Sequence, residues 1–260
     1  MGSLVSKEED CLKQRKLILV LDLDHTLLNS AAFNEVDKEE SKYLESLYAQ
    51  QSEGQRKLLH KGFKKWTKIR PFALEFLNHA SKIFELYICT TGSHKYAMAM
   101  TKLLDPTGKL FKGRVFSRLE GQGKPKKYLE NVVPGKESIT LIVDDSRSAW
   151  PKDCQNLIHV TNRYHFFKSS CRKRGLPETG CFTFRRMDER ENFGSLTNVL
   201  QGLKRIHSEF FRDNLLPRDV RDVVRELDDG RWRAPLFSFE ANSRELNSCI
   251  SMATHVVKRG

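Results

Sequence analysis

Two aspartates, Asp22 and Asp24, directly follow the apolar run at residues 17–21. Side chains alternate along a strand, so these two carboxylates face the same side for as long as the extended backbone continues. Like charges beside an apolar core cost free energy unless a cation or hydrogen-bond donors compensate them. A solvated strand end or an Asx-type turn is the simpler interpretation of an isolated pair. The rest of the chain decides between these readings.

Polar clusters follow three candidate core strands of this chain. Ligands of open parallel sheets bind beyond the carboxyl ends of the strands, so the clusters converge if the strands are neighbours. Four carboxylates without histidine or cysteine suit a hard cation, and Mg²⁺ above all. The three clusters are Asp22 with Asp24, Thr90 with Thr91, and Asp144 with Asp145.

These residue types could carry phosphoryl transfer. One aspartate can attack phosphorus to form an aspartyl-phosphate, and a second can protonate the leaving alkoxide and later activate water. The Thr90 hydroxyl could donate to a phosphoryl oxygen, and a lysine would balance the transferring charge. That lysine is expected from residues 121–127, where Lys124, Lys126 and Lys127 leave the register open. Taken alone, Thr90 is an ordinary strand-end hydroxyl, and the second acidic pair is a helix N-cap.

The elements that must position these residues alternate between strands and helices. Strands are predicted at residues 17–22, 66–69, 84–89, 115–116, 138–143 and 157–160. Helices are predicted from Pro71, over 94–104, over 127–133, and at 195–212 and 217–228. Residues 30–60 read as a surface excursion with helical pieces. The alternation predicts an α/β fold with a parallel sheet flanked by helices and a helical C-terminal extension.

The bulk composition restricts the class of protein. The chain has 260 residues and a formal net charge of +12, which favours acidic partners such as nucleic acid, anionic membrane or phosphorylated polypeptide. Its six cysteines form no CxxC pair, which is typical of reduced thiols. No signal-peptide pattern and no apolar run of about 20 residues is present, so we expect a soluble intracellular protein.

Four ordered motifs resemble one protein family. The sequence DLDHTLL at residues 22–28 resembles the DxDx(T/V) motif of the haloacid-dehalogenase superfamily, and more narrowly that of the carboxy-terminal-domain phosphatases of RNA polymerase II, particularly plant members. Residues 68–77 (KIRPFALEFL) are similar to the family's RP-x-x-x-x-FL stretch, and residues 90–97 (TTGSHKYA) to its T-x-G-x-x-x-YA motif. Residues 142–147 (IVDDSR), with Trp150 after them, resemble its acidic motif.

The resemblance implies a Rossmann-like haloacid-dehalogenase fold and a role for each matched residue. Asp22 would be the nucleophile and a Mg²⁺ ligand, and Asp24 the general acid and base with its backbone carbonyl on the metal. Asp144 would bind the metal with support from Asp145. Phosphate or substrate would be held by Thr90, Lys127 and Arg70. Judged from the residues themselves and not from the resemblance, His25 is expected to be structural, and Trp66 and Trp150 are expected to serve packing.

The implied function is Mg²⁺-dependent hydrolysis of phosphoserine in the C-terminal repeat domain of the polymerase's largest subunit, in the nucleus. The alternatives are a catalytically weak phosphopeptide-binding paralogue and a phosphatase for another phosphomonoester. Direct nucleic-acid binding and a membrane partner are not expected. The predicted organisation is an N-terminal tail (1–14), a phosphatase domain (15–170), an irregular and then helical extension (171–230), and a tail that resembles a truncated BRCT domain (231–260).

Overall fold

A computed structural model describes residues 9–51, 57–118, 126–212 and 218–227. The strands of these segments are Leu17–Leu21 (β1), Leu28–Ala32 (β2), Leu59–Gly62 (β3), Lys65–Ile69 (β4), Phe84–Ser93 (β5), Val115–Arg118 (β6), Thr140–Asp144 (β7) and Leu157–His159 (β8). The helices are Lys38–Ala49 (α1), Ala73–Ile83 (α2), His94–Leu104 (α3), Leu129–Val132 (α4), Lys168–Arg172 (α5), Phe182–Arg185 (α6), Ser195–Phe210 (α7) and Val220–Leu227 (α8).

The central sheet is parallel, with the strand order β6-β5-β1-β7-β8. β1 lies in its middle, and every residue of its sequence LILVL is fully buried. A continuous apolar run is what a strand covered on both faces requires. Because β5 and β7 are the two neighbours of β1, the three polar clusters meet at one edge of the sheet. The predicted α/β architecture with a parallel sheet is confirmed.

A second sheet, with the order β2-β4-β3, is antiparallel. The sequence predicts only β4 of these strands, and the helical pieces expected within residues 30–60 are, among the described residues, α1 and a short 3-10 helix at Phe33–Glu35. The sequence LNSAA of β2 has weak strand propensity, so its neighbours must fix it. The side chain of Asn29 accepts hydrogen bonds from the backbone N–H groups of Phe166 and Phe167, at 2.9 and 3.1 Å. These contacts join residues more than 130 positions apart, so no local sequence pattern predicts them.

The predicted helices are present, but several of them begin or end at residues other than those expected. α3 covers residues 94–104 as expected, and the Ser93 side chain caps it by accepting a hydrogen bond from Tyr96 N. α2 begins two residues after Pro71, because Phe72 takes a left-handed conformation with φ of 66°. α7 buries an apolar stripe in the same core as β1, so the C-terminal helices cover the sheet domain. The predicted BRCT-like tail (231–260) lies outside the described residues.

None of the helices in the described segments has the length and apolarity needed to cross a bilayer.

Candidate active site

The loop after β1 carries both aspartates of the first motif into a cleft of about 710 Å³. The N–H of Asp22 still bonds the carbonyl of Val143 at 3.0 Å, so Asp22 continues the sheet ladder. The chain then turns, with His25 in a left-handed conformation at φ of 66° and its Nδ1 3.1 Å from the carbonyl oxygen of Tyr164. This turn leads directly into β2. Both carboxylates line the cleft, but they have different partners.

The ammonium group of Lys127 lies between two carboxylates. Its Nζ donates to Asp22 Oδ1 at 2.5 Å and to Asp144 Oδ2 at 2.7 Å. The side chain is buried, and although burial acts to lower the pKa of Lys127, its two carboxylate partners raise it above the ordinary range of lysine. Lys126 instead points to the carbonyl of Ser148, and Lys124 lies outside the described residues. Lys127 is thus the lysine of this segment that reaches the paired acids.

Asp22, Asp144 and Asp145 offer carboxylate oxygens that lie within 4.8 Å of one another. Burial raises the pKa of Asp22, and the neighbouring acids add to this rise while Lys127 opposes it. Burial also raises the pKa of Asp145 to about 6. Three buried carboxylates in this arrangement are the oxygen-only ligand set that a hard divalent cation takes.

Asp145 also has a positively charged partner within the protein. Arg163 Nη2 forms an ion pair with Asp145 Oδ2 at 2.7 Å, yet this buried oxygen accepts no hydrogen bond. The hydroxyl of Thr26 lies 3.4 Å from the other oxygen, Oδ1, and 3.5 Å from Asp22. The ion pair with Arg163 compensates part of the cost of burying the Asp145 carboxylate. The site therefore fits Mg²⁺ by its ligand type, which is a group of three buried carboxylates.

Asp24 has a separate environment. Its Oδ1 accepts a 2.6 Å hydrogen bond from the Tyr96 hydroxyl, which also lies 2.9 Å from Ser30 Oγ. Ser30 Oγ in turn lies 2.9 Å from the hydroxyl of Thr67. Burial raises the pKa of Asp24, and the hydrogen bond from Tyr96 opposes that rise. The Asp24 carboxylate is not part of the three-acid group; the expected metal contact of Asp24 was its backbone carbonyl.

Gly92 keeps Tyr96 in place beside Asp24. A Cβ atom on Gly92 would lie 2.7 Å from Cδ1 of the Tyr96 ring, a distance that would force the ring to move. Its N–H also donates to Thr90 Oγ1 at 3.1 Å. Thr90 itself is buried and is not among the residues that line the cleft, whereas its neighbour Thr91 is. The hydroxyl of Thr90 is therefore already an acceptor within its own loop.

Arg70 occupies a position that differs from the expected substrate contact. Its guanidinium is fully buried and forms a two-pronged ion pair with Glu189, at 2.6 and 2.8 Å. It also donates to the carbonyl of Thr26 at 3.2 Å and to that of Asn162 at 2.8 Å. Arg70 is not among the lining residues of the cleft. Its contacts hold the loop after β1 against the segment after β8, which is a positioning role.

Three residues that contact the acids were not expected from the sequence to do so. Tyr96 lies within the third quoted motif and contacts Asp24, and Arg163 pairs with Asp145. Trp150, expected only to pack, is fully buried, and its Nε1 donates to Asp144 Oδ2 at 2.8 Å. Tyr96 lies within a quoted motif and Trp150 just after one, which is the signal that the sequence offers for these two. The partners of all three side chains depend on tertiary structure.

The sequence matches the family model "NLI interacting factor-like phosphatase" over residues 17–179, which is more than half of the chain. The chain belongs to this phosphatase family. The match includes all the candidate site residues and ends before α7. Membership in the family is consistent with the arrangement of paired aspartates, lysine and threonine at the edge of the parallel sheet.

Two relatives of this family member come from Arabidopsis thaliana, and each is 43% identical to it. RNA polymerase II C-terminal domain phosphatase-like 4 aligns over 228 residues, which are 83% of this chain and 50% of the relative. RNA polymerase II C-terminal domain phosphatase-like 3 aligns over 226 residues, which are 81% of this chain and 18% of that relative. This family member thus spans half or less of the length of these relatives.

Solved structures of Fcp1 share the fold of this family member. A variant of fission yeast RNA polymerase II CTD phosphatase Fcp1 bound to beryllium fluoride superposes with a TM-score of 0.67 at 20% identity, covering 87% of this chain and 74% of that one. A second Fcp1 structure gives 0.63 at 21% identity, covering 86% of this chain and 73% of that chain. The predicted haloacid-dehalogenase-type fold is confirmed by this likeness.

Proposed function

We propose that this protein is a Mg²⁺-dependent protein phosphatase that hydrolyses phosphoserine through an aspartyl-phosphate. The observation that carries the proposal is the arrangement of Asp22 and Asp24 in one cleft. Asp22 contacts a buried lysine and lies beside two further acids, whereas the Asp24 carboxylate accepts a hydrogen bond from the neutral hydroxyl of Tyr96. Two carboxylates in such different environments suit a nucleophile and a proton carrier.

The first step transfers the phosphoryl group to the protein. A carboxylate oxygen of Asp22 forms a bond to phosphorus while the bond between phosphorus and the serine oxygen breaks. Asp24, whose pKa is raised by burial, gives its proton to the departing serine oxygen. Lys127, which is within hydrogen-bond distance of Asp22, would neutralise charge on the phosphoryl oxygens, and Thr90 would donate its hydroxyl to one of them.

The second step releases phosphate. Asp24, now a carboxylate, takes a proton from a water molecule whose oxygen attacks the phosphorus of the aspartyl-phosphate. The bond between phosphorus and Asp22 breaks, inorganic phosphate leaves, and both aspartates return to their starting states. Tyr96 is proposed to hold Asp24 in the orientation that both proton transfers need.

The metal would be held by Asp22, Asp144 and Asp145, with the backbone carbonyl of Asp24 as a further ligand. A bound Mg²⁺ ion supplies positive charge that neutralises the phosphoryl oxygens. Trp150 and Lys127 would orient Asp144 from outside the ligand set, since both donate to the same oxygen of that residue.

The proposed substrate is the phosphorylated C-terminal domain of the largest subunit of RNA polymerase II, and the proposed location is therefore the nucleus. The names of the Arabidopsis relatives support this substrate, because both are described as phosphatase-like toward that domain. The net charge of +12 also suits a phosphorylated polypeptide. The preferred serine is not part of the proposal.

The test compares the protein with its Asp22→Asn variant on an aryl phosphate and on phosphorylated tail peptides. We expect the wild type to hydrolyse both with Mg²⁺ and to stop when EDTA is added, and the variant to be inactive. Retained turnover in Asp22→Asn would refute the mechanism. Peptide binding without turnover in the wild type would favour the phosphopeptide-binding alternative, and turnover of small esters alone would favour another phosphomonoester.

A further inference from the structure

The described residues that line the cleft carry more positive charge than one phosphate requires. They include seven lysine or arginine side chains and four aspartates. A divalent cation and one dianionic phosphate cancel each other, so a surplus of three positive charges remains when both are bound. Of the seven, Lys127 is neutralised by Asp22 and Asp144, and Arg163 by Asp145. The remaining five cations are not paired with the aspartates of the cleft.

Three of these cations form one group, because two of them lower the pKa of Asp24 by their charge and the third follows one of those two in the chain. They are Lys65 on β4, Lys173 directly after α5, and Arg174. Lys65 Nζ lies 5.2 Å from the centre of the Tyr96 ring, the same ring whose hydroxyl contacts Asp24. This basic group, Lys65–Lys173–Arg174, therefore begins one aromatic ring away from the proposed proton carrier.

A short chain of contacts connects Lys65 with Lys173. Lys65 is paired with Ala32 in the antiparallel sheet, and the N–H of Ala32 donates to Glu35 Oε2 at 2.9 Å. The other oxygen of Glu35 forms an ion pair with Lys173 Nζ at 2.6 Å. Arg174 is exposed and makes no ion pair within the described segments. Glu35 pairs with Lys173, whereas Lys65 and Arg174 have no ion-pair partner within the described segments, so the group keeps unpaired positive charge.

We propose that Lys65, Lys173 and Arg174 form a second anion subsite, which binds a further negatively charged side chain of the polypeptide whose phosphoserine reacts at Asp22. The inference rests on the proposed function and names its substrate class: a segment with two phosphoserines, or one phosphoserine with a nearby acidic residue. The lysines are half-buried or exposed, so a dianionic phosphate can reach them without displacing the core.

The experiment measures kcat/KM for the full chain with a peptide carrying one phosphoserine and a matched series carrying a second. The second phosphoserine is placed about two to five residues away on either side, a reach of roughly 7–17 Å in an extended chain. A parallel series has glutamate at the same positions. We expect at least one doubly phosphorylated peptide to exceed its parent by about tenfold, and the advantage to shrink at high salt.

Three variants test the assignment to these residues. The double variant Lys65→Gln/Lys173→Gln should lose the advantage of the second charge. Glu35→Gln should increase it by about two- to fivefold, because Lys173 loses its competing partner. Lys102→Gln, which removes an exposed lysine of α3 that does not line the cleft, is the matched control and should keep the wild-type ratio.

Each result decides one point. An equal response to phosphoserine and glutamate identifies any acidic side chain as the ligand, whereas a response to phosphoserine alone identifies a second phosphate. Turnover with no advantage for any doubly charged peptide, or an advantage that survives the double variant, would overturn the subsite. Absence of turnover even on an aryl phosphate would instead be a failure of the proposed function.

Discussion

Replacing Tyr96 with phenylalanine tests whether the tyrosine positions Asp24. The substitution keeps the aromatic ring beside Lys65 and Gly92 and removes only the hydroxyl. That hydroxyl donates to Asp24 Oδ1 at 2.6 Å and contacts Ser30 at 2.9 Å. Because the hydrogen bond lowers the pKa of Asp24 against the effect of burial, its loss raises that pKa further and leaves the carboxyl group without its orienting partner.

The size of the effect follows from this hydrogen bond. A hydrogen bond to a charged group contributes about 1.5–3 kcal/mol, which corresponds to roughly a 10- to 100-fold change in rate if it is lost in the transition state. The loss should fall mainly on phosphoserine substrates, whose alkoxide cannot leave without a proton from Asp24. An aryl phosphate has a leaving group that needs little protonation, so its kcat/KM should fall much less.

The assay is therefore the ratio of kcat/KM on a phosphoserine peptide to that on an aryl phosphate, measured across pH. For Tyr96→Phe we expect the ratio to fall, and the alkaline limb on the peptide to move to higher pH because Asp24 holds its proton longer. Tyr87→Phe serves as the control, since that hydroxyl contacts Glu85 and does not line the cleft. Equal losses on both substrates, or no loss on the peptide, would refute the positioning role.

Three further predictions concern the metal site and the buried ion pair. Mg²⁺ should raise the melting temperature more at about pH 8 than at about pH 5. Burial raises the pKa of Asp145 to about 6, and its proton must leave before the metal binds. An equal rise in melting temperature at the two pH values would contradict this. Trp150→Phe should weaken Mg²⁺ binding by about 10- to 100-fold in a titration, since Asp144 loses a donor, and unchanged affinity would remove Trp150 from this role. Glu189→Gln should lower the free energy of unfolding in urea by about 3–5 kcal/mol, because Arg70 stays buried without its counter-charge. A raised KM for phosphopeptide with an unchanged free energy of unfolding would instead indicate that Arg70 binds the substrate.

The parallel sheet and the meeting of the polar clusters could be predicted because their signals are local. Each core strand is a continuous apolar run that ends in polar residues, and parallel strands place those ends on one edge. Which strands are neighbours was left open by the sequence, and the structure shows β1 between β5 and β7. The local sequence could not predict which of Lys124, Lys126 and Lys127 contacts the acids. Tertiary packing places Lys127 beside Asp22.

The antiparallel sheet and the role of Arg70 could not be predicted for the opposite reason. β2 has the composition of a loop, and it becomes a strand because the Asn29 side chain binds backbone donors more than 130 residues away. Arg70 and Glu189 are separated by 119 residues, so no spacing in the sequence pairs them. An arginine beside a phosphate-related motif suggests a substrate contact until its counter-charge is known.

Asp22 and Asp24 are two like charges at the end of one strand, but their electrostatic environments differ. Burial raises the pKa of both aspartates, but for Asp22 the charges of Asp144 and Asp145 are a further cause, whereas no other carboxylate is among the causes for Asp24. A cation shared by the three acids would remove the like-charge contribution and lower the pKa of Asp22. The burial of Asp24 would be unchanged by it. Metal binding would therefore separate the two pKa values, leaving Asp22 ionised for attack while Asp24 keeps its proton for the leaving serine.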